Sequence, residues 1–341
     1  MTDISVRNIG RAGRITLQRP KALNAVTYEM VKAITSALAQ WRDHPEVTLI
    51  VIDAEGDKAF SAGGDIADLY ATGTAGNFEF GQTFWRDEYR MNAKLAEYPK
   101  PIVSFLQGFT MGGGMGVGCH GSHRIVGETS QIAMPECGIG LVPDVGGSMI
   151  LAHAPGHLGA YLGTTGARMG PADAILAGFA DRFIPQDHWP DLIAALQDNG
   201  DPAVLNTASE TAPQGRISDL RTQIDAYFSA PDLRGVIAAL QASDSDFAAE
   251  TLKALLRASP LSAACTLEMM RRLRQATIRE ALTLEYRFTY RAMEHGDFLE
   301  GIRAAIIDKD RSPNWRHDPM RLPADAVTTM LAPLGDHELT F

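Results

Sequence analysis

Three short strand-like runs, each followed by a glycine-bearing segment, constrain this chain more than any other feature. Residues 47–52 and 102–106 are mostly apolar and β-branched or bulky, which suits buried strands, and His123–Val126 reads as a third strand. The first leads to Phe60-Ser61-Ala62-Gly63-Gly64-Asp65-Ile66. The second leads to Gly108-Phe109-Thr110-Met111-Gly112-Gly113-Gly114-Met115-Gly116. The third leads to Met134-Pro135-Glu136-Cys137-Gly138-Ile139-Gly140-Leu141-Val142-Pro143-Asp144-Val145-Gly146-Gly147. Small residues between a strand and a helix let backbone N–H groups come close to a ligand, and amides at a helix start favour negative charge. Taken singly, each segment also fits an ordinary tight turn. The second lacks the ending of a nucleotide phosphate loop and the spacing of a dinucleotide fingerprint.

The rest of the chain divides around these segments. Residues 4–9 and 14–17 read as a hairpin turning at 10–13. Asn24 or Thr27 is placed to cap a helix that reaches Trp41. A helix is expected near 66–70, a small-residue loop over 71–77, and a helix over 80–97 ended by Pro99 and Pro101. Residues 187–214 are polar, rich in Pro, Asp and Asn, and read as a loose connection. From Ile217 the pattern is helical, and after Lys309 the prolines suggest irregular chain. The expected layout is an α/β half over 1–185 holding the active site, a variable connection over 186–216, and a helical region over 217–341. Leu267, Met270 and Leu273, and then Leu284, Phe288 and Met293, recur at helical spacing. They fit a cover for the site, a surface for self-association into a homo-oligomer, or a purely intramolecular core.

Charge and cysteine usage exclude several functions. The formal net charge is −10, which opposes a nucleic-acid partner or an anionic membrane, since both require a basic field. No apolar run approaches the ~20 residues of a membrane span. Cys119, Cys137 and Cys265 form no paired motif, as expected of reduced thiols, and the N-terminal residues lack a basic-then-apolar signal pattern. The expected compartment is the cytoplasm. His120, His123, His153 and His157 lack ligand spacing, so no metal is expected. No Gly-x-Ser-x-Gly elbow suggests a serine hydrolase.

Glu136 and Asp144 stand out because both sit in apolar, glycine-punctuated sequence. Solvated acids usually keep polar company, so this setting predicts burial and a perturbed pKa. Asp144, after Pro143, is also placed to cap a helix. In their order and spacing the three segments resemble the crotonase (enoyl-CoA hydratase/isomerase) superfamily. The resemblance implies an α/β fold, a crotonase-type spiral of ββα units, followed here by a helical C-terminal region. It further implies an oxyanion hole for a CoA thioester carbonyl, formed by the amides of Gly64 and Gly113. Arg19-Pro20-Lys21-Ala22-Leu23-Asn24-Ala25 looks like the family's CoA-contacting turn, which puts Lys21, Ala22 and Leu23, with Ala62, Asp65 and Ile66, among the substrate-binding residues.

One departure separates members of the superfamily. Hydratases of this fold use two glutamates, and where the first is expected this chain has Gly116, which cannot transfer a proton. The second matches Glu136, and Asp144 stands where hydratases have glycine. The pair resembles the 3-hydroxyisobutyryl-CoA hydrolase branch, as does Trp85-Arg86-Asp87-Glu88-Tyr89, where Glu88 would line the acyl pocket. Ser259-Pro260 opening a helix, Asp297-Phe298-Leu299-Glu300-Gly301-Ile302-Arg303-Ala304 and the stretch from Ile307 to Trp315 are similar to that branch too. The implied activity is hydrolysis of a short-chain 3-hydroxyacyl-CoA in valine breakdown. CoA enters as part of the substrate, and no separate cofactor is implied. Glu136 would attack directly or activate water, and both routes stay open. An enoyl-CoA hydratase or isomerase, and a non-catalytic CoA-binding scaffold, are the alternatives.

Overall fold

The structure, a computed structural model, describes residues 3–341. β1 (Ile4–Ile9) and β2 (Ala12–Leu17) form the expected antiparallel hairpin. Gly10 turns it in the left-handed region, with the Gln197 carbonyl oxygen 2.3 Å from where a Cβ would stand, so only glycine fits. Thr27 caps α1 (Tyr28–Trp41) by accepting the Met30 N–H. Asn24 caps nothing. Its Oδ1 accepts from the Arg19 N–H at 2.8 Å, and its Nδ2 donates to the carbonyls of Glu55 and Ala59, pinning the preceding turn.

Next come β3 (Leu49–Ala54), β4 (Ala59–Ser61), α2 (Ala67–Thr74), α3 (Glu79–Ala96), β5 (Ile102–Leu106), β6 (Phe109–Met111), α4 (Gly113–Gly118), β7 (His123–Val126) and β8 (Gln131–Ala133). α2 extends through most of the expected loop at 71–77, and β4, β6 and β8 are strands that periodicity did not mark. Then follow α5 (Gly147–His153), α6 (Leu158–Thr165), α7 (Pro171–Leu176), β9 (Arg182–Phe183) and α8 (Trp189–Asn199). The last stretch carries α9 (Ile217–Phe228), α10 (Leu233–Gln241), α11 (Asp246–Leu255), α12 (Pro260–Arg272), α13 (Ile278–His295), α14 (Phe298–Ile302) and α15 (Ala326–Met330).

Two compact units emerge, each built from three stretches of chain. The first comprises the chain up to Asp65, Arg90–Ala133 and Arg168–Ser218. Its larger sheet runs β1-β2-β3-β5-β7-β9, parallel from β2 onward, and its smaller one is the parallel β4-β6-β8. Three successive strand pairs therefore follow one rule, with the first strand in the large sheet and the second in the small one. Ala12, Leu49, Val51, Val103, Phe105 and Ile125 build a core with Trp189, Leu196 and Leu205. The stretch 186–216, expected as a variable connection, is thus ordered and covers the sheet through α8. Leu192, Ile193, Val204 and Ala208 pack against the same core, and the polar residues between these anchors mask them in the composition of the stretch.

The second unit comprises Ile66–Tyr89, Met134–Ala167 and Asp219–Phe341. It is helical, with α12 packed on α5 and α6, and α13 on α5. Ser259 caps α12 ahead of Pro260, and Thr277 with Glu280 forms a capping box at α13. Met270, Leu273, Leu284, Phe288 and Met293 are buried within the chain's own core, and Leu267 is partly buried.

Candidate active site

In the first unit, Ser61 of β4 pairs with Thr110 of β6, so the turns that follow leave the same end of the small sheet. α4 comes so close to Ser61 that a Cβ on Gly114 would lie 2.5 Å from its carbonyl oxygen. The first turn is laced to residues 23–26: Ala62 N–H donates to Leu23 O, Val26 N–H to Gly63 O, and Asp65 N–H to Val26 O, at 2.8–2.9 Å. These bonds use the Gly63 carbonyl and the Asp65 N–H on either side of Gly64. Among the described residues no protein acceptor meets the Gly64 N–H. Gly113 opens α4, whose first internal bond runs from the Gly116 N–H to the Gly112 carbonyl, which leaves the Gly113 N–H outside the ladder. A Cβ at Gly64 would meet nothing within 4 Å. Crowding inside the protein does not require glycine there.

Leu23 and Asn24 both take left-handed backbone angles, φ 50° and 54°, and expose Lys21 and Ala22 at the turn. Lys21 and Lys58 line a cavity of about 350 Å³ together with Glu55 and Asp57. The Asp65 carboxylate is occupied by the Arg19 guanidinium at 3.0 Å. Lys21, Ala22, Leu23, Ala62 and Asp65 are therefore neighbours, whereas Ile66 lies in the second unit at the start of α2.

The second unit buries Asp297, which accepts from the Ser259 hydroxyl and the Arg316 N–H, and four further carboxyl groups, Glu88, Glu136, Asp144 and Glu285, each at most 4% exposed. Glu136 begins a 3-10 turn, Asp144 precedes α5, and Glu88 and Glu285 project from α3 and α13. The Tyr89 hydroxyl donates to Asp144 Oδ2 at 2.7 Å. Glu285 accepts the Gly146 N–H at 2.9 Å, the Ser148 N–H at 3.2 Å and the Ser148 hydroxyl. Glu136 Oε2 and Glu88 Oε1 are buried and meet no donor. Burial pushes Glu136 well above the usual carboxylate range, and the charge of Asp144 adds to it. Glu88 rises for the same two reasons. Asp144 is raised to about 7 by burial, against the Tyr89 hydrogen bond, and Glu285 to about 8 by burial, against its hydrogen bonds. Like charges among these buried groups oppose their joint ionisation. Among the described residues no group of three or more His, Cys, Asp or Glu side chains is arranged to hold a metal.

The family described as Enoyl-CoA hydratase/isomerase matches residues 12–330. The chain belongs to the enoyl-CoA hydratase/isomerase family. The crystal structure of an enoyl-CoA hydratase from Rhodobacter sphaeroides 2.4.1 is 61% identical and covers all of both chains with a TM-score of 0.96. That of a carnitinyl-CoA dehydratase from Mycobacterium thermoresistibile is 37% identical, with a TM-score of 0.95 over 100% of this chain and 99% of the other. The mitochondrial 3-hydroxyisobutyryl-CoA hydrolase of Gallus gallus is 34% identical over 99% of this chain and 90% of its own length. The expected crotonase-type fold is the observed one, and the chain is an enzyme family member acting on CoA thioesters. No helix is long and apolar enough to cross a membrane among the described residues. The cytoplasmic expectation came from the cysteines, the N-terminal residues and the lack of a long apolar run, and the Gallus relative is mitochondrial by name.

Two residues of this family member escaped the sequence reading. Tyr89 was passed over beside Glu88, although its ring is fully buried and its hydroxyl is spent on Asp144. Glu285 lies on the stripe of α13 that holds Ala281, Phe288 and Ala292, so a carboxylate at a core position of an amphipathic helix was the available signal.

Proposed function

We propose that the protein hydrolyses a short-chain 3-hydroxyacyl-CoA thioester to the free acid and CoA. The name of the Gallus relative points to 3-hydroxyisobutyryl-CoA and so to valine breakdown. The observation that carries this reading is the buried Glu136–Asp144 pair, with Glu136 Oε2 unmet by any donor and Gly116 where a hydratase would need its other carboxylate. Gly116 offers only a carbonyl, and the Asn92 amide already occupies it at 3.0 Å.

In this reading the free amides of Gly64 and Gly113 bind the thioester oxygen as it becomes an oxyanion, each donor worth ~10²–10³ in rate. Glu136, once ionised, adds to the carbonyl carbon to give a tetrahedral intermediate, or takes a proton from a water that adds there instead. The C–S bond then breaks and the thiolate leaves with the electron pair, giving an acyl-Glu136 anhydride that water hydrolyses on the first route and the free acid directly on the second. Asp144, titrating near 7, is partly protonated at neutral pH, so it can hydrogen-bond the 3-hydroxyl and return a proton to the thiolate. Glu88 lines the acyl group, and Lys21 meets the nucleotide phosphates. No metal or separate cofactor takes part.

The test is thiol release across a panel of acyl-CoA thioesters. We expect 3-hydroxyisobutyryl-CoA to exceed isobutyryl-CoA, since a buried acid deprived of its hydroxyl partner costs up to roughly 10⁴-fold. D144G should compress that difference. The hydratase reading draws on the Rhodobacter neighbour, and it would replace ours if crotonyl-CoA were hydrated rapidly while no 3-hydroxyacyl-CoA released thiol.

A further inference from the structure

Asp144 belongs to no regular element, yet its surroundings fix it at both ends. The two residues after it are left-handed, Val145 at φ 51° and Gly146 at φ 83°. A β-branched side chain is strained in that region, so the conformation persists only where neighbours enforce it. The Gly147 N–H closes the turn on the Asp144 carbonyl at 2.7 Å. From α13, wholly buried Glu285 then takes three donors from the next residues, the Gly146 N–H and both the N–H and hydroxyl of Ser148. One helical turn further along α13, Thr289 Oγ1 lies 3.5 Å from the Tyr89 hydroxyl, which holds the Asp144 side chain. Both the backbone that carries Asp144 and the partner of its carboxyl are thus referred to one helix.

We propose that Glu285 is a positioning residue for Asp144: by gathering the Gly146 and Ser148 donors it holds Val145 in its left-handed conformation and so fixes the direction of the Asp144 carboxyl toward the substrate hydroxyl. This rests on the hydrolase reading above. With both oxygens accepting, the clamp is that of ionised Glu285, so the comparison is made above pH 8; glutamine keeps the volume but has one acceptor oxygen in place of two, and its NH2 group would face an N–H. One side of the clamp is lost, and the strained turn is free to relax. Glycine at 145 takes the left-handed conformation without strain, so there the clamp matters less.

The experiment compares kcat/KM for 3-hydroxyisobutyryl-CoA with that for isobutyryl-CoA in wild type, E285Q, V145G and V145G/E285Q. Far-ultraviolet circular dichroism is recorded on each to establish folding. We expect E285Q to lower the ratio of the two by roughly tenfold or more, since displacements of about 1 Å at a reacting group cost up to ~10²-fold. In the V145G background the same substitution should cost less than about threefold, the non-additivity expected of residues that act through one turn. S148A, which removes only the hydroxyl donor, gives a smaller loss in the same direction and serves if E285Q does not fold. A folded E285Q, or failing that S148A, with the wild-type ratio would overturn the inference, as would an equal cost in both backgrounds. Wild-type protein that releases no thiol from either substrate would instead remove the hydrolase reading, and this inference with it.

Discussion

Glu136 is neutral over a wider pH range than an exposed glutamate because burial penalises its charged form and Asp144 repels it. The proposed chemistry needs that charge. E136Q should therefore keep the fold, the amide being nearly isosteric, and lose turnover by ~10²-fold or more. Unchanged kcat in a folded variant would remove Glu136 from the mechanism. The same repulsion fixes a pH effect. kcat/KM should rise on the acid side as Glu136 ionises, with a midpoint above the ~4.3 of a free glutamate. In D144N one source of repulsion is gone, so the acid limb should move to lower pH while burial keeps it above the ordinary value. Comparing full pH profiles of the two proteins decides this, and an upward or absent shift would count against the coupling.

Among the elements, α8 shows how a few anchors outweigh local polarity. Trp189 packs its ring 5.3 Å from that of Phe105, and its indole N–H donates to the Ile184 carbonyl at 2.9 Å. Leu196 and Leu205 are fully buried beside it. W189A should cost about 3–5 kcal/mol in urea unfolding, because a large ring and a hydrogen bond leave the core together. A loss below about 1 kcal/mol would mean that α8 adds little to the sheet it covers. The strands of the small sheet show the opposite limit. β4, β6 and β8 have three residues each, too few for an alternating pattern, and they owe their existence to pairing at Ser61, Thr110 and Ile132 rather than to propensity.

At the scale of the whole molecule, the acid cluster is held at the expense of stability. A carboxyl whose folded pKa is raised binds its proton more tightly when folded. Stability is then fullest below the unfolded pKa and falls as the pH rises through the folded one. For Asp144 the window runs from its ordinary 3.8 up to about 7, and for Glu285 from 4.5 up to about 8. The melting temperature should therefore decline between about pH 5 and pH 8, and the decline should be shallower in D144N, where one titrating group is absent. The difference in slope reports Asp144 together with the part of the Glu88, Glu136 and Glu285 shifts that its charge causes, and parallel curves would show that it contributes no linkage.

Local order sufficed for much of this. The hairpin, the buried strands β3, β5 and β7, the amphipathic helices and the glycine turns are written in spacings of two to seven residues, where apolar period and backbone freedom act directly. Glu136 and Asp144 were legible because carboxylates among apolar residues and glycines have few bland explanations. Tertiary structure alone decided that Tyr89 holds Asp144, that Glu285 of α13 grips the turn at Gly146 and Ser148, and that Trp189 makes a covering layer of a polar stretch. Glu285 lies 137 residues from Ser148 in sequence. Burial and hydrogen bonding between such distant residues depend on how the chain closes on itself, and no local spacing encodes that closure.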